Sequence, residues 1–182
     1  MAEINFGKSI TLKQAANLIR TNPTTRFLLQ GEPGIGKSSL LESIANGLGY
    51  EYAYIDVPNM DLGDIAMPSV NRELRVTEYF PNAALQLQHG KPAVIMLDEF
   101  MKAPKLLQII FTRLMLERTV GDEPLPEGSK VFGTSNNSSD GVGDAMLGHV
   151  GNRVCLVPMS KPTHDAWNVW ATTNAIARPI RA

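Results

Sequence analysis

A single cysteine, Cys155, among 182 residues has no partner within the chain, so no internal disulfide can form. It sits in the apolar run Val154 to Val157 and reads as a small buried hydrophobe with no catalytic role. Aromatic side chains are scarce, at 7%, and the formal net charge is -1. The chain therefore lacks both the global positive field and the aromatic and basic stripe that draw a protein onto nucleic acid or anionic lipid. No uninterrupted apolar run reaches the roughly eighteen residues that a membrane helix needs. The start, Met1-Ala2-Glu3-Ile4-Asn5, lacks a basic region followed by an apolar stretch, which predicts a cytoplasmic protein with no membrane association. Internal repeats and low-complexity tracts are absent as well. What remains, 43% hydrophobic and 19% charged, is the composition of one globular α/β unit with a core of its own.

Periodicity divides the chain into alternating elements. Thr11 is a candidate N-cap for a helix that places Leu12, Ala15, Ala16 and Ile19 on one face and ends near Asn22-Pro23. Arg26 to Gln30 reads as a strand running into a glycine-rich turn, with a helix from about Lys37 to Asn46 after it. A second strand is expected over Tyr52 to Val57, a small hairpin around Glu73 to Thr77, and a short helix over Ala83 to His89. Ala93 to Leu97 is apolar at every position, as a strand covered on both faces should be. Pro104 opens a helix carrying Leu107, Ile110, Phe111 and Leu114 that ends near Arg118, and a loop from Gly121 to Gly128 closes it. Lys130 to Ser135 and Val154 to Val157 are further strands, with a short helix near Asp144 to His149 between them and a last helix, holding Trp167 and Trp170, from Pro162-Thr163. Such alternation predicts an α/β fold: a mainly parallel five-stranded sheet with helices on both faces, three layers in all.

Gly31-Glu32-Pro33-Gly34-Ile35-Gly36-Lys37-Ser38 fits the phosphate-loop pattern of glycine, four residues, then Gly-Lys-Ser, and lies between a strand and a helix as that motif requires. Its glycines let backbone N–H groups turn inward on a phosphate, the helix directs its positive end at the same anion, and the Lys37 ammonium reaches the β and γ oxygens. Ser38 offers a hydroxyl to Mg²⁺, and Ser39 completes the cofactor-binding segment. The pair Asp98-Glu99 ends a buried strand at its C-terminal edge, where α/β sheets keep their ligands. Alone, such a pair would read as a solvated strand end. With a phosphate loop upstream, Asp98 is expected to hold the Mg²⁺ shell and Glu99 to polarise the water that attacks the γ-phosphate. Asn136 follows the next strand and either forms a turn or holds the attacking water or the γ-phosphate. Arg153, before a buried strand, is either a structural ion-pair partner or a cation presented to a neighbouring subunit's nucleotide.

With these residues in hand, the chain resembles MoxR-type AAA+ ATPases, within the group that includes dynein-related and magnesium-chelatase-like modules. The resemblance rests on the phosphate loop, on Leu97-Asp98-Glu99 continuing through Phe100-Met101-Lys102-Ala103-Pro104, and on Gln108, Glu117-Arg118 and Leu125-Pro126. Gly151-Asn152-Arg153, Asp165-Ala166-Trp167 and Trp170-Ala171 extend it over nearly the whole chain. It implies a P-loop NTPase of the AAA+ large-subdomain type spanning 1–182, with Asn136 at sensor 1 and Arg153 as the arginine finger. Val70 to Thr77 would be the helix-2 insert and Thr119 to Gly128 the hairpin before sensor 1. It further implies ATP and Mg²⁺ as cofactors, a homo-oligomeric, hexameric ring, a protein substrate, and a partner with a von Willebrand factor A-type domain. Members continue into a small helical lid carrying a sensor-2 arginine, which here is expected to be absent or only begun at 162–182.

The function these residues point to is an ATP-hydrolysing, chaperone-like remodelling motor. The alternative is a nucleotide-dependent DNA-associated protein of the helicase or clamp-loader type, against which the near-neutral charge counts. A nucleotide-responsive assembly subunit with decayed catalysis does not suit the intact Lys37, Asp98, Glu99 and Asn136. A small-molecule kinase suits the Asp-Glu pair still less.

Overall fold

The computed structural model describes residues 9–22, 24–136 and 153–173. Helix α1, Leu12–Thr21, begins where the sequence places a cap: Thr11 Oγ1 accepts from the Gln14 amide at 3.3 Å while Gln14 Oε1 accepts from the Thr11 amide at 2.9 Å. This reciprocal box satisfies two amide donors that the helix start would otherwise leave open. Thr11→Ala should therefore cost about 1 kcal/mol and lower the melting temperature by about 2–4 °C, read in a thermal melt.

After α1 come β1 (Phe27–Gln30), α2 (Lys37–Leu48), β2 (Glu51–Asp56), β3 (Ala66–Asn71), β4 (Val76–Pro81) and β5 (Ala93–Asp98). Then follow α3 (Lys105–Glu117), β6 (Thr119–Val120), β7 (Glu123–Pro124), β8 (Lys130–Ser135), β9 (Cys155–Pro158) and α4 (His164–Thr173). The main sheet has the order β2-β5-β8-β1-β9, and every neighbouring pair in it is parallel.

Strand alternation sorts the core into two halves. Phe27, Leu29, Val94, Met96 and Phe132 pack with Ala15, Ala16 and Ile19 of α1 and Leu40, Leu41 and Ile44 of α2. Leu28, Ile95, Leu97 and Val131 point the other way and pack with Leu107, Phe111, Leu114 and Met115 of α3. Residues one apart thus serve opposite faces, which is the three-layer arrangement expected of a parallel sheet buried on both sides.

The connection from β2 to β5 departs from expectation. Ala83 to His89 makes one 3-10 turn, Ala83–Leu85, instead of a short helix. Asn82 caps it by accepting from the Ala84 amide at 2.9 Å, and Gln86, left-handed at φ 57°, ends it. Glu73 to Arg75 lie in the turn of the hairpin rather than on a strand, because Asn71 Oδ1 accepts from the Leu74 amide and Arg75 is left-handed at φ 57°. Most residues of β3 and β4 are exposed, so no one-sided burial fixes their boundaries in the sequence. The pair β6 and β7 is antiparallel and lies within Thr119 to Gly128. Cys155 is only partly buried, and that burial pushes its thiol up from the usual value. The helix expected near Asp144 to His149 lies outside the described residues.

Candidate active site

β1 is followed in the sheet by β2 at one edge and β8 by β9 at the other, the change of direction that in open α/β sheets places a ligand site beyond the C-terminal ends of the two neighbours. The Gly31–Ser38 loop fills the β1 side of it. Gly31 is held against β8 by its amide donating to the Ser135 carbonyl at 3.2 Å. A Cβ there would collide with Ile35 Cδ1 and stand 2.9 Å from Met159 Cβ, so the close approach requires glycine. Gly36, at φ 94°, turns the chain into α2 in a conformation that side chains disfavour. Ile35 is buried and anchors the loop in the core shared with α1 and α2.

The start of α2 has no side-chain cap and no acidic residue in its first turn. Its leading amides thus lack a side-chain acceptor and suit an anion. Ser38 lies on the exposed first turn, while Ser39 Oγ donates back to the Gly36 carbonyl at 2.8 Å. Glu32 and Pro33 are exposed, and the Glu32 carboxylate pairs with Lys161 at 2.5 Å. Both partners are more than half exposed, so that pair contributes little to stability.

Lys37 is 9% exposed, and its ammonium donates to the Gly31 carbonyl at 2.7 Å, the Glu32 carbonyl at 3.1 Å and Asn136 Oδ1 at 2.9 Å. Burial lowers its pKa from the ordinary lysine value; the negative charges of Asp98 and Glu99 oppose that shift, and Lys102 adds to it. Asn136, just past β8, then donates through Nδ2 to Glu99 Oε1 at 3.2 Å. One amide side chain therefore links the cation of the loop to the acid beyond β5.

Glu99 leaves β5 in a left-handed conformation, φ 49°, and caps a 3-10 turn Phe100–Lys102. Such a backbone costs about 1 kcal/mol or more in a non-glycine residue and is typical of functional sites. The turn brings Lys102 back over Glu99, with its amide 2.8 Å from the Glu99 carbonyl and its ammonium 2.9 Å from Glu99 Oε1.

Asp98 is gripped from both flanking strands. Thr134 Oγ1 of β8 donates to Oδ1, and the Tyr54 hydroxyl of β2 donates to Oδ2 at 2.7 Å. Burial, then the bond to Asp98 and the charges of Asp98, Asp56 and Glu99, hold the Tyr54 phenol well above its ordinary value, so it stays a protonated donor. Among the described residues no three His, Cys, Asp or Glu side chains cluster as a metal cage. The Ser38 hydroxyl and the Asp98 carboxylate are hard oxygen donors, which suits a magnesium ion whose shell is completed by phosphate and water.

Lys37, Asp98, Glu99 and Asn136 thus share the C-terminal edge, as the sequence requires of a single site. Arg153 does not join them. β9 runs parallel to β1 with Cys155 opposite Phe27 and Pro158 opposite Gln30, so Arg153 lies at the other edge, away from its own loop. It is exposed and makes no ion pair among the described residues. Tyr54 and Lys102 were not expected in roles of their own. An apolar cavity of about 480 Å³ between the hairpin and α3, lined by Ile65, Met67, Tyr79, Ile110 and Leu114 among others, belongs to neither edge.

This sheet order, with a phosphate loop after β1 and an acidic pair after β5, defines a P-loop nucleoside-triphosphatase fold of the AAA type. Residues 27–108, a span holding both motifs, are similar to the family described as ATPase family associated with various cellular activities (AAA). Among solved structures, a Cytophaga hutchinsonii protein named as an ATPase superposes with a TM-score of 0.66 at 18% identity, covering 93% of this chain and 52% of that one. A point mutant of Thermotoga maritima RuvB superposes with a TM-score of 0.57 at 18% identity, covering 91% and 47%. The chain thus spans about half the length of each, and at this identity the likeness is one of fold. No curated protein matches the chain.

Proposed function

We propose that this chain is the large subdomain of a MoxR-like AAA+ remodelling motor, which binds ATP with Mg²⁺ and hydrolyses it within a ring of like subunits. The observation that carries this reading is the continuous link from Lys37 through Asn136 to Glu99, which joins the phosphate loop to a carboxylate fit to act on water. Gly31, Gly34, Gly36 and the first turn of α2 cradle the phosphates, and Lys37 exchanges its loop carbonyls for phosphate oxygens. Ser38 and Asp98 hold the cation, which when bound neutralises charge on the β- and γ-phosphates. Glu99 accepts the proton of the attacking water, and Asn136 fixes Glu99 relative to Lys37.

The exposed Arg153 at the far edge supports catalysis in trans: it has no route to its own nucleotide and faces outward, as a group serving a neighbour must. A ring of six subunits, cytoplasmic, with a protein substrate and a von Willebrand factor A-type partner, completes the proposal.

Two measurements test it. Specific ATPase activity should rise with protein concentration, and Arg153→Ala should flatten that rise while the affinity of the single chain for nucleotide stays the same. Mass photometry with a slowly hydrolysed ATP analogue should show assembly. Activity independent of concentration, with monomers both with and without the analogue, would rule out the ring. Salt-sensitive binding to DNA would favour the helicase or clamp-loader alternative instead.

A further inference from the structure

Tyr54 stands on the edge strand β2 with about half of its surface exposed, in contrast to Ala53 and Ile55, which alternate with it and are buried in the α3-side core. Its ring is not there to fill the core. In register, Tyr54 faces Met96, so Asp98 is its diagonal neighbour two residues on, a separation that an aromatic side chain spans across parallel strands as it does across antiparallel ones. The hydroxyl ends 2.7 Å from Asp98 Oδ2. On the other side of β5, Leu97 pairs with Gly133, which places Thr134 one step on, beside Asp98, where it is fully buried and donates to Oδ1. An aspartate has broad freedom about χ2. Two hydroxyl donors from two different strands, one on each oxygen, remove that freedom and fix the plane of the carboxylate.

We propose that Tyr54 is a positioning residue for cation binding: with Thr134 it orients the Asp98 carboxylate so that its remaining lone pairs meet the magnesium ion that accompanies the nucleotide. This rests on the reading of Asp98 as the cation-holding acid. It differs from a merely structural bond between β2 and β5, which would matter equally whether or not the cation is present. Donors that orient a ligating side chain set metal affinity without touching the metal.

The test is the affinity of a fluorescent ADP analogue, measured in EDTA and across a Mg²⁺ titration, for the wild type, Tyr54→Phe, Thr134→Val and Thr134→Ser. Tyr54→Phe should raise the Mg²⁺ concentration at the midpoint by about tenfold and leave the affinity in EDTA within about twofold of wild type. Thr134→Val should shift the midpoint in the same direction, and Thr134→Ser, which keeps the hydroxyl, should restore it. An unchanged midpoint in Tyr54→Phe, or an equal loss of affinity with and without Mg²⁺, would overturn the inference. A wild type that binds the analogue with no response to Mg²⁺ would overturn the cation role of Asp98 and this inference together. A wild type that fails to bind at all would remove the nucleotide reading itself.

Discussion

Replacing Lys37 with alanine weakens nucleotide binding by about a hundredfold, the equivalent of about 3 kcal/mol lost from a desolvated charge-assisted contact. The size of the effect follows from the lysine's surroundings. At 9% exposure its ammonium has already given up most of its water, and three acceptors within 3.1 Å hold it at the floor of the crevice. A phosphate that enters meets a cation already stripped of water, which exchanges its loop carbonyls for the stronger, charged phosphate oxygens. Alanine removes the charge and also the tether between the loop and Asn136. The Gly31 and Glu32 carbonyls are left to water, so the cost in stability should be smaller, about 1 kcal/mol. Isothermal titration with ATP and a thermal melt separate the two losses. Lys37→Arg should not rescue binding, since a planar guanidinium does not fit a slot shaped for a compact ammonium. An alanine variant with wild-type affinity would remove the phosphate loop from the account altogether.

The parts of this site that the sequence discloses are those whose chemistry demands fixed residue types at contiguous spacing. Gly31 to Ser38 must supply inward amides, a cation and a hydroxyl within one turn, so the motif is local and readable. Asp98 and Glu99 are equally plain, because two acids stand out at the end of a run that is apolar at every position. The elements are legible for a related reason: one-sided burial imprints a helical period on α1 and α3, and two-sided burial imprints an unbroken apolar run on β1 and β5. Where burial is weak, the imprint fades. In β3 and β4 most positions are exposed, so the turn at 72–75 is set by the Asn71 side chain and not by any hydrophobic pattern. In the same way Ala83 to Leu85 form a turn because Asn82 and Gln86 bracket them, although the residue types alone would have allowed a helix.

Tyr54 illustrates a third case. Its partner is 44 residues away, and the contact depends on register: slip β2 by one residue against β5 and the ring points into the other face. The available signal was the alternation Tyr52, Ala53, Tyr54, Ile55, which puts both tyrosines on the face shared with Asp98. It could be read only once the pairing was known. Arg153 is a fourth case: the residues alone leave its role open between an ion pair and a cation for a neighbour, and only the resemblance names the second, because that proposed work lies in a different chain.

Glu99→Gln should leave nucleotide affinity within about threefold of wild type while lowering kcat by about a thousandfold, the usual weight of a positioned general base. The substitution is close to isosteric. Glutamine keeps an Oε1 to accept from Asn136 Nδ2, and it is no worse placed than glutamate at φ 49°, so the link from Lys37 through Asn136 survives. What disappears is the charge, and with it the ion pair to Lys102. That pair joins side chains 40% and 38% exposed and contributes no more than about 1 kcal/mol, so its loss cannot account for a thousandfold effect. The deficit must come from the proton that glutamine cannot accept. A single-turnover assay should therefore find intact ATP on the variant long after the wild type holds only ADP. If the variant turns over within about threefold of wild type, some other group moves that proton, and the link through Asn136 positions a bystander. Lys102→Met separates the two ideas further: it frees Glu99 from its ion pair without removing the base, so a fall in kcat as deep as that of Glu99→Gln would show that the chemical step depends on the intact pair and not on the carboxylate alone.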